Sequence, residues 1–302
     1  MSAGSAVTVR VPASTSNLGA GFDALGMALG LYVEVRAELA DELCIEIEGR
    51  EADQIDRGPD NLLYQRFALV YRERGEHPPA VRLRIRNEIP LIRGLGSSGA
   101  ATIAGLLAAS VLSGANLSHD EILRLAYAEE HHSDNVTPAL VGGFVARAVD
   151  EGRVRYVKMD VPPELRCVLL VPRFGMKTVQ ARQLLPGQVP LQDAVFNLSR
   201  AGLTVAAITQ RRWDLLAVGT QDRLHQPYRL VMFPIMDRVF QAAREAGAYG
   251  AFLSGAGSTV LAFSPPERTT QVAEAMRQVA ESAEVACETM DAPVDTTGAV
   301  VS

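Results

Sequence analysis

Cysteine is scarce in this sequence. Cys44, Cys167 and Cys287 are scattered over 302 residues, and no Cys-x-x-Cys pair occurs. Such a set indicates neither a disulfide framework nor a zinc ribbon, and buried thiols in a reducing compartment are the simplest interpretation.

Long apolar runs are also missing. No stretch of about 18 uncharged apolar residues occurs, so we expect no membrane span. The N-terminus has no basic segment followed by an apolar one, so we expect no secretory signal and a cytoplasmic location.

Positive charge is in short supply. The formal net charge is −6, and lysine occurs only at Lys158 and Lys177. Binding to a nucleic-acid backbone needs a block of Lys and Arg, and Arg84, Arg86 and Arg93 are too sparse to form one. We therefore expect neither nucleic acid nor a membrane as a partner. Hydrophobic residues make up 48% of the chain, enough for a substantial core in one large domain or two modest ones.

Strand and helix patterns come in mixed order along the chain. Apolar alternation or short apolar runs predict these strands: Val7–Val11, ended by Pro12, then Ala28–Ala37, Leu43–Glu48, Val81–Arg86, a hairpin across Asp150-Glu151-Gly152, Cys167–Val171, Ala248–Leu253 and Thr259–Phe263. Apolar residues at helical spacing predict these helices: Asn61–Arg74, Thr102–Leu112, Ser118–Glu130, Leu191–Thr209, Asp237–Ala246 and Glu267–Ser282. Because strands and helices do not alternate strictly, an α+β fold is favoured over a parallel doubly wound sheet.

Two local patterns add detail to these elements. In the helix predicted at Leu191–Thr209, one apolar face carries Val195, Leu198, Ala201, Val205 and Ile208. Further upstream, Pro162-Pro163 interrupts the chain between predicted strands. We place a domain boundary there, which gives an N-terminal domain at 1–161 and a C-terminal domain at 162–302.

A glycine- and serine-rich loop precedes the helix predicted at Thr102–Leu112. It reads Pro90-Leu91-Ile92-Arg93-Gly94-Leu95-Gly96-Ser97-Ser98-Gly99-Ala100. Glycines leave the backbone open to a ligand, and the first N–H groups of a helix point together at a spot that favours an anion. A phosphate chain is the anion we expect. The loop is not the usual P-loop, because no lysine follows its glycines. Taken alone, it could equally be a plain turn with an N-cap.

The segment from Pro12 to Asp23 combines hydroxyls, an amide and glycines after a predicted strand. Within it, Gly19-x-Gly21-x-x-Ala24 imitates a dinucleotide-binding fingerprint. We reject that interpretation, because seven residues separate Val11 from Gly19 and the fingerprint should follow its strand directly. Ordinary turn residues are the simple alternative.

Acidic residues end the helix predicted at Ser118–Glu130, where they oppose the helix dipole. A hydroxyl from Ser98 together with a carboxylate from Glu130 would suit Mg²⁺, which prefers few protein oxygens and keeps most of its waters. The adjacent His131 and His132 could suggest zinc. We reject zinc, because neighbouring side chains point opposite ways and no further ligands have metal spacing.

Two segments with arginines follow, Lys177–Arg182 and Asp222–Arg229. Arginines from separate segments can clamp a small carboxylate with bidentate hydrogen bonds, although a lone arginine is more often a surface residue. Ser254-Gly255-Ala256-Gly257-Ser258 is a second glycine turn, which by itself needs no function.

Together these segments resemble the GHMP kinase superfamily, and within it the homoserine kinase branch. The resemblance covers about Val7 to Phe263 and rests on these motifs: Pro-x-x-x-Gly-Leu-Gly-Ser-Ser from Pro90, Ser16-Asn17-Leu18-Gly19-x-Gly21-Phe22-Asp23, His132-Ser133-Asp134-Asn135-Val136-x-Pro138, Asp222-Arg223-Leu224-His225-x-Pro227-Tyr228-Arg229 and Ser254-Gly255-Ala256-Gly257. The chain departs from the family at His131, Gly99 and Ser258, where Gly, Ala and Pro are common. The bulk of His131 puts the geometry around Glu130 in doubt.

The resemblance implies a two-domain α+β fold. Its N-terminal domain would be ribosomal protein S5 domain 2-like and its C-terminal domain ferredoxin-like, with the site in the cleft between them. It also implies ATP as co-substrate, Mg²⁺ as cofactor and L-homoserine as the small-molecule substrate. The side-chain hydroxyl of homoserine would be phosphorylated to O-phospho-L-homoserine in threonine biosynthesis. A homodimer fits the family.

The resemblance further implies roles for individual residues. The ATP-binding residues would be Asn61, Pro90, Leu91, Ile92, Arg93, Gly94, Leu95, Gly96, Ser97, Ser98, Gly99 and Ala100, and the Mg²⁺ ligands would be Ser98 and Glu130. The substrate pocket would contain Asn17, Asp23, Asp134, Asn135, Thr178, Arg182 and Arg229. Both arginines would bind the substrate carboxylate and an Asp its ammonium group. Asn135 and Arg182 would be the catalytic residues, and since Asn135 stands where several related kinases have an Asp, we expect no dedicated strong base.

Two other functions stay open at this stage. The first is a GHMP kinase that acts on an isoprenoid alcohol, shikimate or a sugar, which the paired arginines disfavour. The second is a catalytically inactive relative that binds ligand as a sensor, which the intact Ser98, Glu130 and glycine loops disfavour.

Overall fold

The computed structural model describes residues 6–130 and 133–302, which form two units, each with a sheet covered by helices. The sheet of the first unit contains β1 (Ala6–Ser16), β2 (Leu25–Leu39), β3 (Cys44–Gly49), β4 (Val81–Asn87), β5 (Phe144–Asp150) and β6 (Arg153–Met159). Its main path runs β1-β2-β4-β3, and β5 pairs with the start of β2 and with β6. β1 and β2 are antiparallel, whereas β3 and β4 are parallel, so the sheet is mixed.

The first strand runs past Pro12 to Ser16, so the expectation that Pro12 ends it is wrong. Its register against β2 shifts between Pro12 and Ala13, which lie opposite Tyr32 and Leu29. A bulge tolerates proline because the ladder does not need the missing N–H there. The longer strand carries two serines, Ser14 and Ser16, to the edge of the candidate site described below.

The helices of the first unit are α1 (Leu62–Glu73), α2 (Ser97–Leu112), α3 (His119–Glu130) and α4 (Ser133–Val141). Asn61 caps α1, since its Oδ1 accepts the N–H of Tyr64 at 3.1 Å. Ser118 and Glu121 form the capping pair expected before α3, with the Ser118 N–H donating to Glu121 at 2.8 Å. α2 begins at Ser97, five residues before the predicted start, because the serine-rich end of the loop is itself the first helical turn.

The sequence patterns did not predict α4, which contains Pro138. A proline in a helix cannot donate to the carbonyl four residues earlier, here that of Asp134. That carbonyl lies against Gly26 of β2, where a Cβ would come within 2.1 Å of the oxygen. The helix is short and packs directly on the sheet, so tertiary contacts stabilise it more than local sequence does.

The second unit contains β7 (Arg166–Pro172), β8 (Gly250–Leu253), β9 (Val260–Ser264) and β10 (Cys287–Pro293), in the antiparallel order β10-β7-β9-β8. Its helices are α5 (Thr178–Gln183), α6 (Leu191–Thr209), α7 (Leu216–Gly219), α8 (Gln226–Arg229), α9 (Met236–Glu245) and α10 (Thr269–Ser282), with 3₁₀ turns at Trp213–Leu215 and Pro266–Arg268. Helices between β7 and β8 and between β9 and β10 give the βαββαβ plan of a ferredoxin-like unit. No pattern predicted β10, whose residues are mostly half-buried or exposed.

The end of the chain returns to the first unit. A last short strand, β11 (Val300–Val301), pairs with β1, where Val301 lies opposite Val9. Nearby, Lys158 Nζ donates to the carbonyls of Val141 and Thr296, both at 2.7 Å. The boundary at 161/162 stays a prediction, and the final residues belong to the first sheet.

Packing of α6 follows its apolar pattern only in the second half of the helix, where Ile208 is buried and Val205 packs against the core. Leu191, Val195 and Leu198 are 80%, 55% and 75% exposed, although the latter two belong to the predicted apolar face. Asn197 is buried instead, because its Nδ2 donates to Asp222 at 2.6 Å and to the carbonyl of Ala20 at 3.2 Å. In the first half of this helix, a polar side chain therefore takes the inward position.

Apolar cores lie under each sheet, and the larger one includes Phe67, Leu83 and Phe144. In the described parts of the chain, no helix combines the length and apolarity needed to cross a bilayer.

Candidate active site

A cleft with a volume of about 300 Å³ opens between the two units. The first unit contributes the end of β1, the loop before α2 and the start of α4. The second contributes α5, α8 and the loop between β8 and β9. The lining residues are Ser16, Asn17, Phe22, Asp23, Ile92, Gly94, Gly96, Ser97, Ser98, Gly99, Glu130, Asp134, Asn135, Val136, Met176, Lys177, Thr178, Arg182, Arg229, Gly255 and Ala256. Segments distant in sequence, each with an unusual polar pattern, therefore meet in one place.

The N-terminus of α2 points into this cleft. Gly96 precedes the helix with a left-handed φ of 68°, and no side chain caps the first turn. Gly94 is in the same conformation, and a Cβ on it would lie 2.1 Å from the carbonyl oxygen of Ser254. Glycine is required at these two positions, since both backbone conformation and space exclude a side chain. The helix therefore offers unpaired N–H groups and the positive end of its dipole to an anion.

The predicted ATP loop divides into a part that faces the cleft and a part that supports it. Ile92, Gly94 and the stretch 96–99 line the cleft, whereas Pro90, Leu95 and Ala100 are buried. The Arg93 side chain turns away, and its guanidinium donates to the carbonyls of Leu91 and Pro172 at 2.7 and 2.8 Å. Arg93 therefore joins the two units, and a phosphate would meet the backbone of this loop rather than the Arg93 side chain.

Ser98 and Glu130 are in contact at one side of the cleft. Ser98 Oγ lies 2.8 and 2.9 Å from the two carboxylate oxygens of Glu130, and Thr102 Oγ1 donates to the first of them at 2.8 Å. A carboxylate beside hydroxyls is the oxygen-rich donor set that suits Mg²⁺. Within 6–130 and 133–302, no group of three or more His, Cys, Asp or Glu could hold a metal. His131 and His132, considered above for zinc, lie outside the described residues.

An apolar cavity of about 190 Å³ adjoins the cleft and shares Ile92, Ser97 and Ser98 with it. The rest of its wall is Val33, Ile55, Asn61, Leu62, Leu63, Ile85, Asn87, Leu91 and Ala101. Asn61 shapes this wall with its side chain already engaged, since Nδ2 donates to the carbonyl of Asp56 at 2.7 Å while Oδ1 caps α1. The apolar wall suits the faces of a flat ring bound next to the helix N-terminus.

An ion pair crosses the cleft. Arg182 Nη2, on α5, donates to Asp23 Oδ1 at 2.6 Å. Asn17 fixes the Asp23 loop, because its Oδ1 accepts the Asp23 N–H at 3.0 Å and its Nδ2 donates to the Gly255 carbonyl at 2.9 Å. Asp134 is buried in the cleft wall, and Thr178 is exposed at the first turn of α5. The pocket thus holds both charge signs, as an amino-acid zwitterion requires.

A second arginine, Arg229, lines the cleft although it is only 2% exposed. Its Nη1 donates to the Gly255 carbonyl at 2.8 Å and lies 3.0 Å from His225 Nδ1. Burial lowers the pKa of Arg229 to about 10, helped by the charge of Arg182 and opposed by Asp222. The side chain stays protonated at neutral pH, so two guanidinium groups face the same space.

Asn135 lies between the loop and β1. Its Oδ1 accepts from Ser14 Oγ and its Nδ2 donates to Ser16 Oγ, both at 3.1 Å. The same Oδ1 would be 3.2 Å from a Cβ on Gly96, which places Asn135 at the mouth of α2. Two serines therefore hold an amide, not a carboxylate, beside the anion site.

Comparison with known proteins identifies the family. The GHMP kinases N terminal domain matches residues 61–143, and the GHMP kinases C terminal domain matches residues 204–282. The chain belongs to the GHMP kinase family. A homoserine kinase of Caldanaerobacter subterraneus subsp. tengcongensis is 43% identical over 279 residues, which is 92% of this chain and 89% of that protein. A homoserine kinase of Synechocystis sp. is 42% identical over 98% of each chain.

Solved structures agree with this assignment. The crystal structure of homoserine kinase from Cytophaga hutchinsonii superposes on this GHMP kinase with a TM-score of 0.88 at 28% identity, covering 100% of this chain and 99% of that one. A mevalonate kinase of L. major, at 15% identity, has a TM-score of 0.72 over 96% of each chain and shows the shared fold alone. The two-domain α+β fold that the sequence resemblance implied is therefore confirmed.

The cleft of this GHMP kinase also contains side chains to which the sequence assigned no role. The centroid of the Phe22 ring lies 5.4 and 5.8 Å from the guanidinium carbons of Arg182 and Arg229, so the ring makes cation–π contacts with both side chains. Lys177, one of the two lysines, lines the cleft directly before Thr178. Ser14 and Ser16 share a strand face at a spacing of two, a signal that a strand ending at Pro12 does not include.

Proposed function

We propose that this GHMP kinase transfers the γ-phosphoryl group of ATP to the side-chain hydroxyl of L-homoserine and forms O-phospho-L-homoserine for threonine biosynthesis. The observation that supports this most is the meeting of an uncapped helix N-terminus with two arginines from the other unit, Arg182 and Arg229, in one cleft. An anion site for phosphates then faces a clamp for an amino-acid carboxylate. The names of the relatives at 42% to 43% identity agree with it.

For ATP, we infer that the purine occupies the apolar cavity beside Asn61 and that the phosphates lie on the N–H groups of residues 96–99. Ser98 and Glu130 would hold Mg²⁺, with Thr102 keeping the carboxylate in place. When bound, the ion neutralises charge on the transferred phosphoryl group.

For the amino acid, we infer that Arg182 and Arg229 bind the carboxylate while Asp23 or Asp134 binds the ammonium group. Asn17 supports Asp23, and Thr178 closes the rim of the pocket. Asp23 already touches Arg182 across the cleft, so a zwitterionic substrate finds a positive and a negative partner side by side. Shikimate and mevalonate carry a carboxylate for the arginines but no ammonium group, so they would leave the negative partner unused.

For the chemical step, we infer positioning and charge stabilisation without a dedicated base. Asn135 lies at the helix mouth and has no proton-accepting carboxylate, while Asp23 and Glu130 are engaged with Arg182 and Ser98. Phosphoryl transfer has a loose transition state, so the hydroxyl proton can leave late and pass to a phosphoryl oxygen. Arg182 and Asn135 would aim the hydroxyl at the γ-phosphorus.

ADP release with L-homoserine, compared with L-serine, L-threonine, shikimate and mevalonate, tests the proposed function. We expect turnover with homoserine to exceed each of the others by at least about tenfold in kcat/KM, and phosphorus NMR should detect a phosphate monoester on the side chain. Preference for shikimate or mevalonate would favour the rival GHMP kinase activity. Nucleotide binding with no turnover of any alcohol would favour a sensor.

We place the reaction in the cytoplasm, where ATP and Mg²⁺ are available. The homodimer also stays a prediction, which sedimentation analysis of the purified chain can measure.

A further inference from the structure

His225 lies behind the cleft wall, in the motif whose last residue is Arg229. It is fully buried and stacks on Phe22, with ring centroids 5.2 Å apart. Its Nε2 lies 2.9 Å from the carbonyl oxygen of Gly19. A carbonyl oxygen only accepts, so Nε2 must carry the proton.

The other ring nitrogen, Nδ1, faces an arginine, and because a guanidinium N–H only donates, Nδ1 is the acceptor and the imidazole is neutral. Arg229 Nη1 lies 3.0 Å from His225 Nδ1 and 2.8 Å from the Gly255 carbonyl. These two bonds use both hydrogens of Nη1. The charged groups that face the ring are Asp222, Arg229 and Asp23, and burial outweighs both carboxylates, so the pKa of His225 is lowered.

The remaining donors of Arg229 form one edge of its guanidinium. Its Nε is buried and has no hydrogen-bond partner within 6–130 and 133–302. Because Nη1 is anchored on the opposite side, Nε and Nη2 together present a two-donor edge, the arrangement that matches a carboxylate bidentately. The side chain lines the cleft, and a ligand carboxylate bound there would supply the acceptor that Nε lacks.

The backbone of His225 is held by a carboxylate that caps the turn. Asp222 Oδ2 accepts the N–H of His225 at 2.9 Å and that of Gln226 at 2.7 Å. Its Oδ1 accepts the Leu224 N–H at 2.9 Å and Asn197 Nδ2 at 2.6 Å. The chain of contacts runs from Asp222 through His225 to Arg229, and each member fixes the next.

We propose that His225 is a positioning residue that acts through Arg229. In its neutral Nε2–H tautomer, Nδ1 accepts a hydrogen bond from Arg229 Nη1, and the Nε/Nη2 edge of the guanidinium is left to bind the carboxylate of the amino-acid substrate. This role rests on the proposed function, because it assumes a substrate with a carboxylate. His225 contacts neither ATP nor the reacting hydroxyl, so its effect belongs to substrate affinity.

Three variants test this role. His225→Leu removes both ring nitrogens, His225→Asn keeps an acceptor oxygen near the Nδ1 position, and His77→Leu changes an exposed histidine as the matched control. Hydrogen bonds to charged groups suggest that His225→Leu raises the homoserine KM by roughly 10–100-fold. We expect kcat and the ATP KM to change less than about threefold, His225→Asn to recover most of the affinity, and His77→Leu to match the wild type.

A second substrate separates positioning from general damage. In L-homoserinol a hydroxymethyl group replaces the carboxylate, so the Arg229 edge has nothing to grip. We expect His225→Leu to lower kcat/KM for homoserine but to leave that for homoserinol unchanged. Equal losses with both substrates, or an unchanged homoserine KM, would overturn the positioning role.

The tautomer has a readout that does not depend on activity. Nitrogen NMR of histidine-labelled protein, with the His225→Asn variant for assignment, should show Nε2 protonated and Nδ1 unprotonated at neutral pH. A proton on Nδ1 would overturn the inference even if homoserine is the substrate. If the wild type does not turn over homoserine but shows the expected tautomer, the proposed function fails while the geometry of Arg229 stands.

Discussion

Replacing Gly96 by alanine adds a methyl group where the proposed ATP loop, just before α2, meets β1. The new Cβ would lie 2.1 Å from Ser14 Oγ, and the residue would have to keep a left-handed φ of 68°. Gly114, at the other end of α2, has a φ of 70° and nothing within 4 Å of its Cβ position. Gly96→Ala and Gly114→Ala therefore share the backbone penalty, and only the first adds a collision.

The magnitudes follow from these two terms. A left-handed conformation costs a non-glycine residue about 1–2 kcal/mol. Overpacking typically costs a further 1–3 kcal/mol or so. We expect Gly114→Ala to lower the free energy of unfolding by about 1–2 kcal/mol, and Gly96→Ala by about 2–5 kcal/mol. Because Ser14 also holds Asn135, the collision should displace the helix mouth and lower kcat/KM for ATP by roughly 10–100-fold.

The assays are urea unfolding and ADP release at saturating amino acid. Ser14→Ala provides an internal check, because removal of Oγ leaves the nearest atoms at 3.1 Å or more from the Gly96 Cβ. In that background Gly96→Ala should cost about as little stability as Gly114→Ala does in the wild type. If both glycine variants lose equal stability and Gly96→Ala keeps wild-type kcat/KM, the loop is not held by Ser14 and the reasoning is wrong.

Four other perturbations address the cleft. Asn135→Ala should lower kcat by about tenfold with little change in homoserine KM, since Asn135 positions and takes no proton; a large rate gain in Asn135→Asp would contradict this in the same assay. Arg182→Ala should raise the homoserine KM by roughly 10–100-fold and spare the ATP KM, whereas equal effects on both would argue against a carboxylate clamp. Glu130→Gln should raise the Mg²⁺ concentration that gives half-maximal rate, and an unchanged Mg²⁺ titration would remove Glu130 from the metal site. Burial lowers the pKa of His225 from about 6.5 in the unfolded chain to about 4 in the folded protein. The contribution of His225 to the free energy of unfolding is therefore complete above pH 6.5 and is lost as the pH falls towards 4. Between neutral pH and pH 5, the free energy of unfolding should fall by about 2 kcal/mol more in the wild type than in His225→Leu. Equal shifts of the urea midpoint in the two proteins would show that the ring is not buried in its neutral form.

Local patterns predicted most helices and strands and failed where long-range contacts intervene. The sequence predicts the helix at Leu191–Thr209 with its bounds, and Val205 and Ile208 of its predicted face pack inward. Near the start of the helix the predicted face is wrong, since Val195 and Leu198 are exposed while Asn197 is buried and bonded to Asp222. β10 and α4 escaped prediction for a related reason. Each is short and lacks a clean apolar period, and each is stabilised by the sheet on which it packs.

Local composition also decides how much of the candidate site is visible in the sequence. An anion site is indicated by Gly94, Gly96 and the serines that follow them. Binding an anion requires an open backbone and the start of a helix, and here both lie within one segment. The side chains that support these groups from behind cannot be predicted from local composition. Phe22, Ser14 and His225 look like ordinary residues until the units pack together.

By itself the sequence determined that a glycine- and serine-rich helix start, an acidic helix end and two arginine segments exist in this chain, because each is encoded by neighbouring residues. Only the tertiary structure decided which of them meet. Asp23 pairs with Arg182 across 159 positions, and His225 meets the Gly19 carbonyl across 206. Hydrogen bonds reach only about 3 Å, so partners this far apart along the chain are chosen by how two sheets and their helices pack, and no local pattern records that choice.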